Sequence, residues 1–402
     1  MGGGLVQLAA VGLQNTVLQN NKDGATFWRQ RFVQHKHFAM ESIDLTFTSK
    51  PSYGKKVVCQ IPRSGDLLKN LVLEITLKKS GDGGFYPAEH LVREVELYIG
   101  GVRVDVVTNT WLRIYDELYR KVDEREAYNH MTNFVDEPSG AVRRFFLPLP
   151  FWFCTHPSSS LPLIALQYHD ISLQITFEEA VKIPGIDPTF DTEITLWADY
   201  VYLDTDERRW FAQSPHNYLI EQTQVAREPL SVGATAQNYN ITLPFNHPCK
   251  FLAWVLRPST DSHGVFTCQD DGLQACEVYG PVAEVGMQFN GIDRFKRRKG
   301  AFFRLHHPWS HFGQAPSVGV YIYSFALHPK ELSPSSTFNF SRTDSARLMV
   351  QTKAAVLNAV SDAVDEDQTL TTATKLKMIE MYARNYNVLR IQSGMAGVMF
   401  SN

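Results

Sequence analysis

Two segments of the chain echo each other at one fixed offset. Val92-Arg-Glu94-Val95-Glu-Leu97-Tyr-Ile99-Gly100-Gly101 resembles Val282-Ala-Glu284-Val285-Gly-Met287-Gln-Phe289-Asn290-Gly291, with Val, Glu, Val and the second turn Gly matching 190 residues apart. Gly-Gly and Asn-Gly both suit two-residue hairpin turns, which need positive φ. Each copy is therefore a strand, a tight turn and a strand. A second parallel precedes each: Ile61-Pro62 leads into Leu71–Leu77, and Leu243-Pro244 leads into Phe251–Leu256. Two features repeated in the same order point to a duplicated domain.

The periodicity says what is duplicated. Leu71, Leu73, Ile75 and Leu77 alternate with Val72, Glu74, Thr76 and Lys78, and Ile171, Leu173, Ile175 and Phe177 alternate with Ser172, Gln174, Thr176 and Glu178. A period of two with one apolar face marks strands lying on a core. Further strand-like runs are Glu94–Ile99, Glu193–Leu203, Ile241–Leu256 (interrupted by Pro244 and Pro248), Val285–Phe289 and Val320–Leu327. One segment differs: Leu112, Tyr115, Leu118, Tyr119 and Val122 recur at helical steps behind Asn109 or Thr110 as N-cap, an amphipathic helix expected to plug a sandwich end. About eight strands per half suit an all-β fold of two tandem eight-stranded antiparallel jelly-roll sandwiches, with minor helices in connecting loops. The expected divisions are an arm at 1–25, a first jelly roll at 26–213 and a second at 214–402. The second boundary falls where Ser214-Pro215-His216-Asn217 breaks the strand pattern.

Composition narrows the function. With 402 residues the chain can bury roughly three quarters of its unfolded surface without disulfides or structural metal. Its 39 Lys+Arg against 42 Asp+Glu, a net charge of −3, argue against a partner held by phosphate neutralisation. The basic cluster Arg294, Lys296, Arg297, Arg298 and Lys299 is too short to change that. It is expected to be a solvated strand end or to meet something acidic. The uncharged stretch Phe145–His169 is no membrane span, because Pro148, Pro150, Pro157 and Pro162 would break a helix there. The uncharged first twenty-one residues lack a basic n-region and are diluted by Gly2, Gly3, Gly4 and Gly12, which suggests an arm that orders only when covered. Met1-Gly2 invites myristoylation, but Val6 stands where Ser or Thr is wanted.

Chemistry is hard to find. Five cysteines without a Cys-x-x-Cys make neither a disulfide framework nor a zinc site, although Cys268 and Cys276 share one Gly/Asp-rich loop and could bridge if oxidised. Glu178-Glu179 and Asp365-Glu366-Asp367 are expected to be solvated. His306-His307 with His311, and His35 with His37, lack a third metal ligand at a telling spacing. No nucleophile elbow, phosphate loop or His-Glu-x-x-His is present, so neither catalytic residue, cofactor nor metal is expected. The sequons at Asn240 and Asn339 lie in or beside apolar strand-like segments, where a glycan would clash with packing.

Several segments resemble the major capsid proteins of nucleocytoplasmic large DNA viruses, the group of iridoviruses, phycodnaviruses and marseilleviruses. They are Gly2-Gly3-Gly4-Leu5, His37 to Ser42, Arg63 to Leu67, Leu243 to Pro248, Asn290 to Phe295, Tyr323 to Leu327, Phe338 to Arg342, and Tyr382 to Ile391 with the terminal Ser401-Asn402. The resemblance spans the chain. It implies tandem jelly rolls, a homotrimer of near-hexagonal outline, and an icosahedral virion shell over an inner lipid membrane. It also implies neighbouring capsomers, minor capsid and penton proteins as partners, no direct nucleic-acid contact, and assembly in the host cytoplasm. Broad aromatic contacts suit such a shell, and Phe151, Trp152 and Phe153 are candidates for them unless their loop folds onto its own core. The rivals are a tandem jelly-roll carbohydrate-active enzyme, as in a peptide N-glycosidase, and a glycan-binding protein using loops such as Asp261–Gly272.

Overall fold

The computed structural model describes residues 3–20, 22–30, 32–81, 87–134, 137–183, 185–230, 238–257, 282–316, 319–352 and 378–400. Its contacts divide the chain into Met1–His37 and Phe38–Asn402. The first unit holds a helix at Gly3–Ala9 and a single turn at Asn15–Leu18. Its apolar side chains are exposed, Leu13 at 92% and Trp28 at 96%. Among the described residues, no helix is long and apolar enough to cross a membrane.

The second unit is two sandwiches in series. The first contains β1 (Phe38–Leu45), β2 (Lys56–Ile61), β3 (Leu67–Lys78), β4 (Val92–Ile99), β5 (Val102–Thr108), β6 (Val142–Pro148), β7 (Leu161–Pro162), β8 (Ile171–Phe177) and β9 (Ile194–Leu203). The helix Thr205–Gln213 connects it to the second, which contains β10 (His216–Pro229), β11 (Asn238–Thr242), β12 (Pro248–Arg257), β13 (Val282–Phe289), β14 (Ile292–Lys299), β15 (Val320–Ser324), β16 (Phe338–Asn339), β17 (Ala346–Thr352), β18 (Met378–Gln392) and β19 (Met395–Val398).

The two halves have one topology. The first stacks the sheet β1-β9-β3-β6 on β2-β8-β4-β5, and the second stacks β10-β18-β12-β15 on β11-β17-β13-β14. The short β7 and β16 correspond too, each pairing with the first two residues of β3 or β12 just before the bulge, and among the described strands β19 alone has no counterpart. Even the irregularities repeat. The β4–β5 ladder slips between Leu97 and Tyr98, and the β13–β14 ladder slips between Met287 and Gln288, again 190 residues on. β3 bulges at Lys69 against β9, and β12 bulges at Lys250 against β18. The turns have the expected geometry: φ is +58° and +80° at Gly100 and Gly101, and +50° and +81° at Asn290 and Gly291.

The core follows the alternation. Leu71, Leu73, Ile75 and Leu77 of β3 are fully buried, as are Val95, Leu97, Leu173 and Ile175 of the facing sheet. Each such side chain stabilises by about 1.5–3 kcal/mol on leaving water. β12 departs from alternation because both its faces are covered. Leu252, Trp254 and Leu256 point into the second sandwich, while Phe251, Ala253 and Val255 join the core of the first.

The amphipathic helix runs Asn109–Tyr119, one turn shorter than its apolar spacing suggests. Thr108 rather than Asn109 or Thr110 caps it, its Oγ1 accepting the Trp111 N–H at 3.2 Å. Val122 belongs to a second helix, Val122–Thr132. The first helix also does more than plug one sandwich. Trp111 stacks on Tyr382 and Phe251 at centroid distances of 5.7 and 6.2 Å, and Tyr119 meets Phe312 at 6.1 Å, so its apolar stripe reaches into the second half.

Candidate assembly interface

The seam between the sandwiches is where one edge strand of each meets the other, β5 with β10. Gln222 Nε2 donates to the Val104 carbonyl at 2.5 Å, and the Thr223 N–H donates to Asp105 Oδ1 at 2.9 Å. Behind these bonds lies a buried ionic chain. Arg384 Nε reaches Glu221 at 3.1 Å, its Nη1 donates to Thr223 Oγ1 at 2.7 Å and sits 3.8 Å from Asp105, and Lys250 Nζ reaches Glu221 at 2.5 Å. Two carboxylates thus balance two cations, all four more than nine-tenths buried. Burial pushes the Asp105 carboxyl up to about 6, with Arg384 opposing the rise, and burial also lowers the Lys250 pKa.

A second knot lies alongside. Glu380 accepts from Arg227 at 2.8 Å and Arg257 at 3.0 Å, and from the Tyr382 hydroxyl at 3.1 Å. That hydroxyl lies 2.9 Å from Thr108 Oγ1 of the first half. Burial would raise the Glu380 carboxyl, but Arg257 and Arg227 hold it below the usual range. The helix Asn109–Tyr119 carries a third cluster, in which buried Glu89, Asp116 and Glu117 meet Arg113, Arg120 and Arg125. Burial lifts Glu89 to about 7, and its Oε1 accepts the Tyr128 hydroxyl at 2.9 Å. Each of these buried charges lies beside one of opposite sign, as burial demands.

An open cleft of ≈730 Å³ borders the seam, lined among others by Arg103, Asp105, Gln222, Arg227, His247 and Phe400. Among the described residues, no three His, Cys, Asp or Glu side chains converge as metal ligands. His307 is buried and accepts the Ser324 N–H through Nε2 at 2.8 Å, and burial pushes its pKa down to about 4. It starts the helix His307–Phe312. His35 and His37 precede the first strand and are exposed.

The proposed contact residues Phe151, Trp152 and Phe153 lie inside the first sandwich, at 0%, 2% and 0% exposure, with Phe151 and Phe153 stacked at 5.7 Å. Their rings fill the chain's own core and present nothing to a neighbour. Glu178 is likewise buried, with Lys182 at 3.5 Å, which corrects the expectation of a solvated pair. Asn240 on β11 and Asn339 on β16 are exposed, and Asn339 Oδ1 caps the Ser341 N–H at 3.0 Å. Cys268, Cys276, the loop Asp261–Gly272 and Asp365-Glu366-Asp367 lie outside the described residues. The basic run Arg294 to Lys299 forms most of β14, an edge strand exposed at every position except half-buried Phe295.

The seam charges escaped sequence reasoning, although a signal existed. Lys250 interrupts an apolar run in β12, and Glu380 and Arg384 interrupt one in β18. A charge inside a doubly covered strand must have a partner.

Comparison with known proteins matches residues 207–397 to the family model described as large eukaryotic DNA virus major capsid protein, and residues 26–204 to major capsid protein N-terminus. The major capsid protein of Paramecium bursaria Chlorella virus 1 is 41% identical with all of both chains covered, and that of Pyramimonas orientalis virus is 36% identical with the same coverage. Among solved structures, a quasi-atomic model of the PBCV-1 virus capsid aligns with a TM-score of 0.83 at 39% identity, covering 94% of this chain and 100% of that one. The Faustovirus major capsid protein shares the fold, with a TM-score of 0.70 at 13% identity over 92% and 93% of the two chains.

Proposed function

The chain belongs to the major capsid proteins of large eukaryotic DNA viruses, and from that premise we propose that it acts as a homotrimeric capsomer tiling an icosahedral virion shell. The repeated strand order of its two halves carries this reading. Three chains with two alike domains each present six similar corners, which is what a close-packed lattice of capsomers requires. The domains are 26–213 and 214–402, preceded by the arm at 1–25.

The chain's work is structural and not enzymatic. Buried carboxylates at the seam are spent on ion pairs, and the aromatic residues expected at subunit contacts support the cores. The arm, with exposed Leu5, Leu8 and Leu13, lies on the inner side of the shell against neighbouring capsomers, minor capsid and penton proteins or the inner membrane. Assembly takes place in the host cytoplasm without direct nucleic-acid contact.

Light scattering on a sizing column tests the capsomer. A species near three times 45.6 kDa, seen as hexagonal plates in negative stain, is the expected result, and a monomer at every concentration refutes it. Deleting residues 2–21 should leave trimers intact while impairing shell assembly, and normal particles from that deletion would remove the arm from the account.

A further inference from the structure

The two halves expose different amounts of the same surface. β5 is buried from Val104 to Thr108 apart from half-covered Val106, because β10 covers it, whereas its counterpart β14 is bare. On the other side of the molecule β10 is covered by β5, whereas its counterpart β1 is exposed over Phe38–Ser42. One partner of the seam is thus left open at each end of the chain.

Register fixes which residues correspond. Asn70 pairs with Asp199 just past the β3 bulge, and Phe251 pairs with Arg384 just past the β12 bulge, so Asp199 corresponds to Arg384. Across from these stand Ser42 and Thr223, each bonded to its counterpart side chain, Ser42 Oγ to Asp199 at 2.5 Å and Thr223 Oγ1 to Arg384 at 2.7 Å. Glu41 therefore occupies the place of Gln222. On the other strand, Leu97 pairs with Asp105 as Met287 pairs with Phe295, so Arg294 occupies the place of Val104.

We infer that β14 of one chain docks on β1 of a second copy, repeating between chains the β5–β10 seam made within one, with Arg294 facing Glu41. The inference rests on the trimer reading and assigns its contact surfaces. Gln222 donates to a backbone carbonyl. Glu41 cannot donate, and needs a cation at that position. Arg294, with Lys296 and Arg298 along the same edge, supplies one, while β1 offers Glu41 and Asp44. Among the described residues, Glu41 accepts the Tyr202 hydroxyl, a neutral donor, at 3.2 Å. Apolar surface follows the same rule. The helix after β5 buries Trp111 across the seam, whereas the helix after β14 leaves Trp309 63% exposed. A head-to-tail contact closes into a ring when the copies are related by a closing rotation, which the trimer reading supplies.

Charge reversal in the full chain tests the pairing, with trimer population followed by light scattering over a dilution series. Glu41→Arg and Arg294→Glu should each raise the concentration for half-assembly at least about tenfold, because each sets like charges opposite each other. The double reversal should return it to within a few-fold of wild type. Circular dichroism should stay unchanged, since both side chains are exposed. Wild-type trimers unaffected by either reversal, or a double variant no better than the singles, would overturn the assignment and leave the trimer standing. A wild type that is monomeric throughout would overturn the trimer itself.

Discussion

Replacing Arg384 by methionine removes the cation that joins the two halves while keeping most of the side-chain volume. Arg384 is 1% exposed and serves two carboxylates. Glu221 keeps Lys250, but Asp105 keeps only two backbone N–H bonds, from Val106 and Thr223 at 2.9 Å each. Breaking a buried pair by removing one partner destabilises by about 3–5 kcal/mol. Unfolding entropy of about 2.1 cal/mol/K per residue, taken over 402 residues, converts this to a Tm drop of about 4–6 °C if both halves unfold together. The loss depends on pH in a defined sense. Asp105 already has its carboxyl raised to about 6, and without Arg384 it rises further. The variant can then neutralise the orphan by taking up a proton, so its deficit should shrink on acidification to pH 5 and be full above neutrality. Calorimetry at pH 5 and 8 measures both. Adding Asp105→Asn should recover at least half of the deficit at pH 8, a coupling within reach of a double-mutant cycle. A deficit under about 1 kcal/mol at pH 8, or an Asp105→Asn substitution that adds to the loss, would refute the seam as an ionic joint.

His307 has a folded pKa of about 4 against 6.5 unfolded, so it contributes stability that is present above 6.5 and lost as pH falls toward 4; in His307→Gln that part of the pH–stability curve should flatten. Glu89 works in the opposite sense, since a carboxyl raised to about 7 from 4.5 makes the fold less stable as pH climbs between those values, and Glu89→Gln should remove this decline in denaturation midpoints measured at pH 5 and 8. Gly100→Ala should cost about 1–3 kcal/mol, because φ is +58° and a Cβ would sit 2.5 Å from His169 Nδ1. Gly101→Ala, with φ at +80° and open space around it, should cost visibly less in the same urea titration.

Local pattern carried the architecture a long way. Alternation in β3 and β8 and the paired Gly-Gly and Asn-Gly turns were enough for duplicated sandwiches, because a sheet with one buried face writes its period directly into the chain. What escaped were features set by the second face. β12 looked like an irregular apolar run because two cores claim alternate residues, and the helix at Asn109–Tyr119 looked like a plug because its spacing says which side is buried but not against what. Phe151, Trp152 and Phe153 illustrate the converse limit: aromatic content left a contact surface and a loop folded on its own core both open, because hydrophobicity alone does not distinguish an interface from an interior. The seam charges were visible as residues, yet their pairing joins positions as far apart as Asp105 and Arg384.

The helix Thr205–Gln213, held to the first half by Arg208 to Asp66 at 3.0 Å, also acts as a tether. It confines the two domains so that each meets the other at an effective concentration of order millimolar. In the proposed trimer, a ring of six domains from three chains, alternate seams therefore form unimolecularly, at any dilution, during folding. The rest obey mass action. Damage to the tethered seam should show as poor yield of folded chain and be indifferent to protein concentration, whereas damage to the untethered one should vanish when the solution is concentrated. Dilution alone thus separates two joints of the same design.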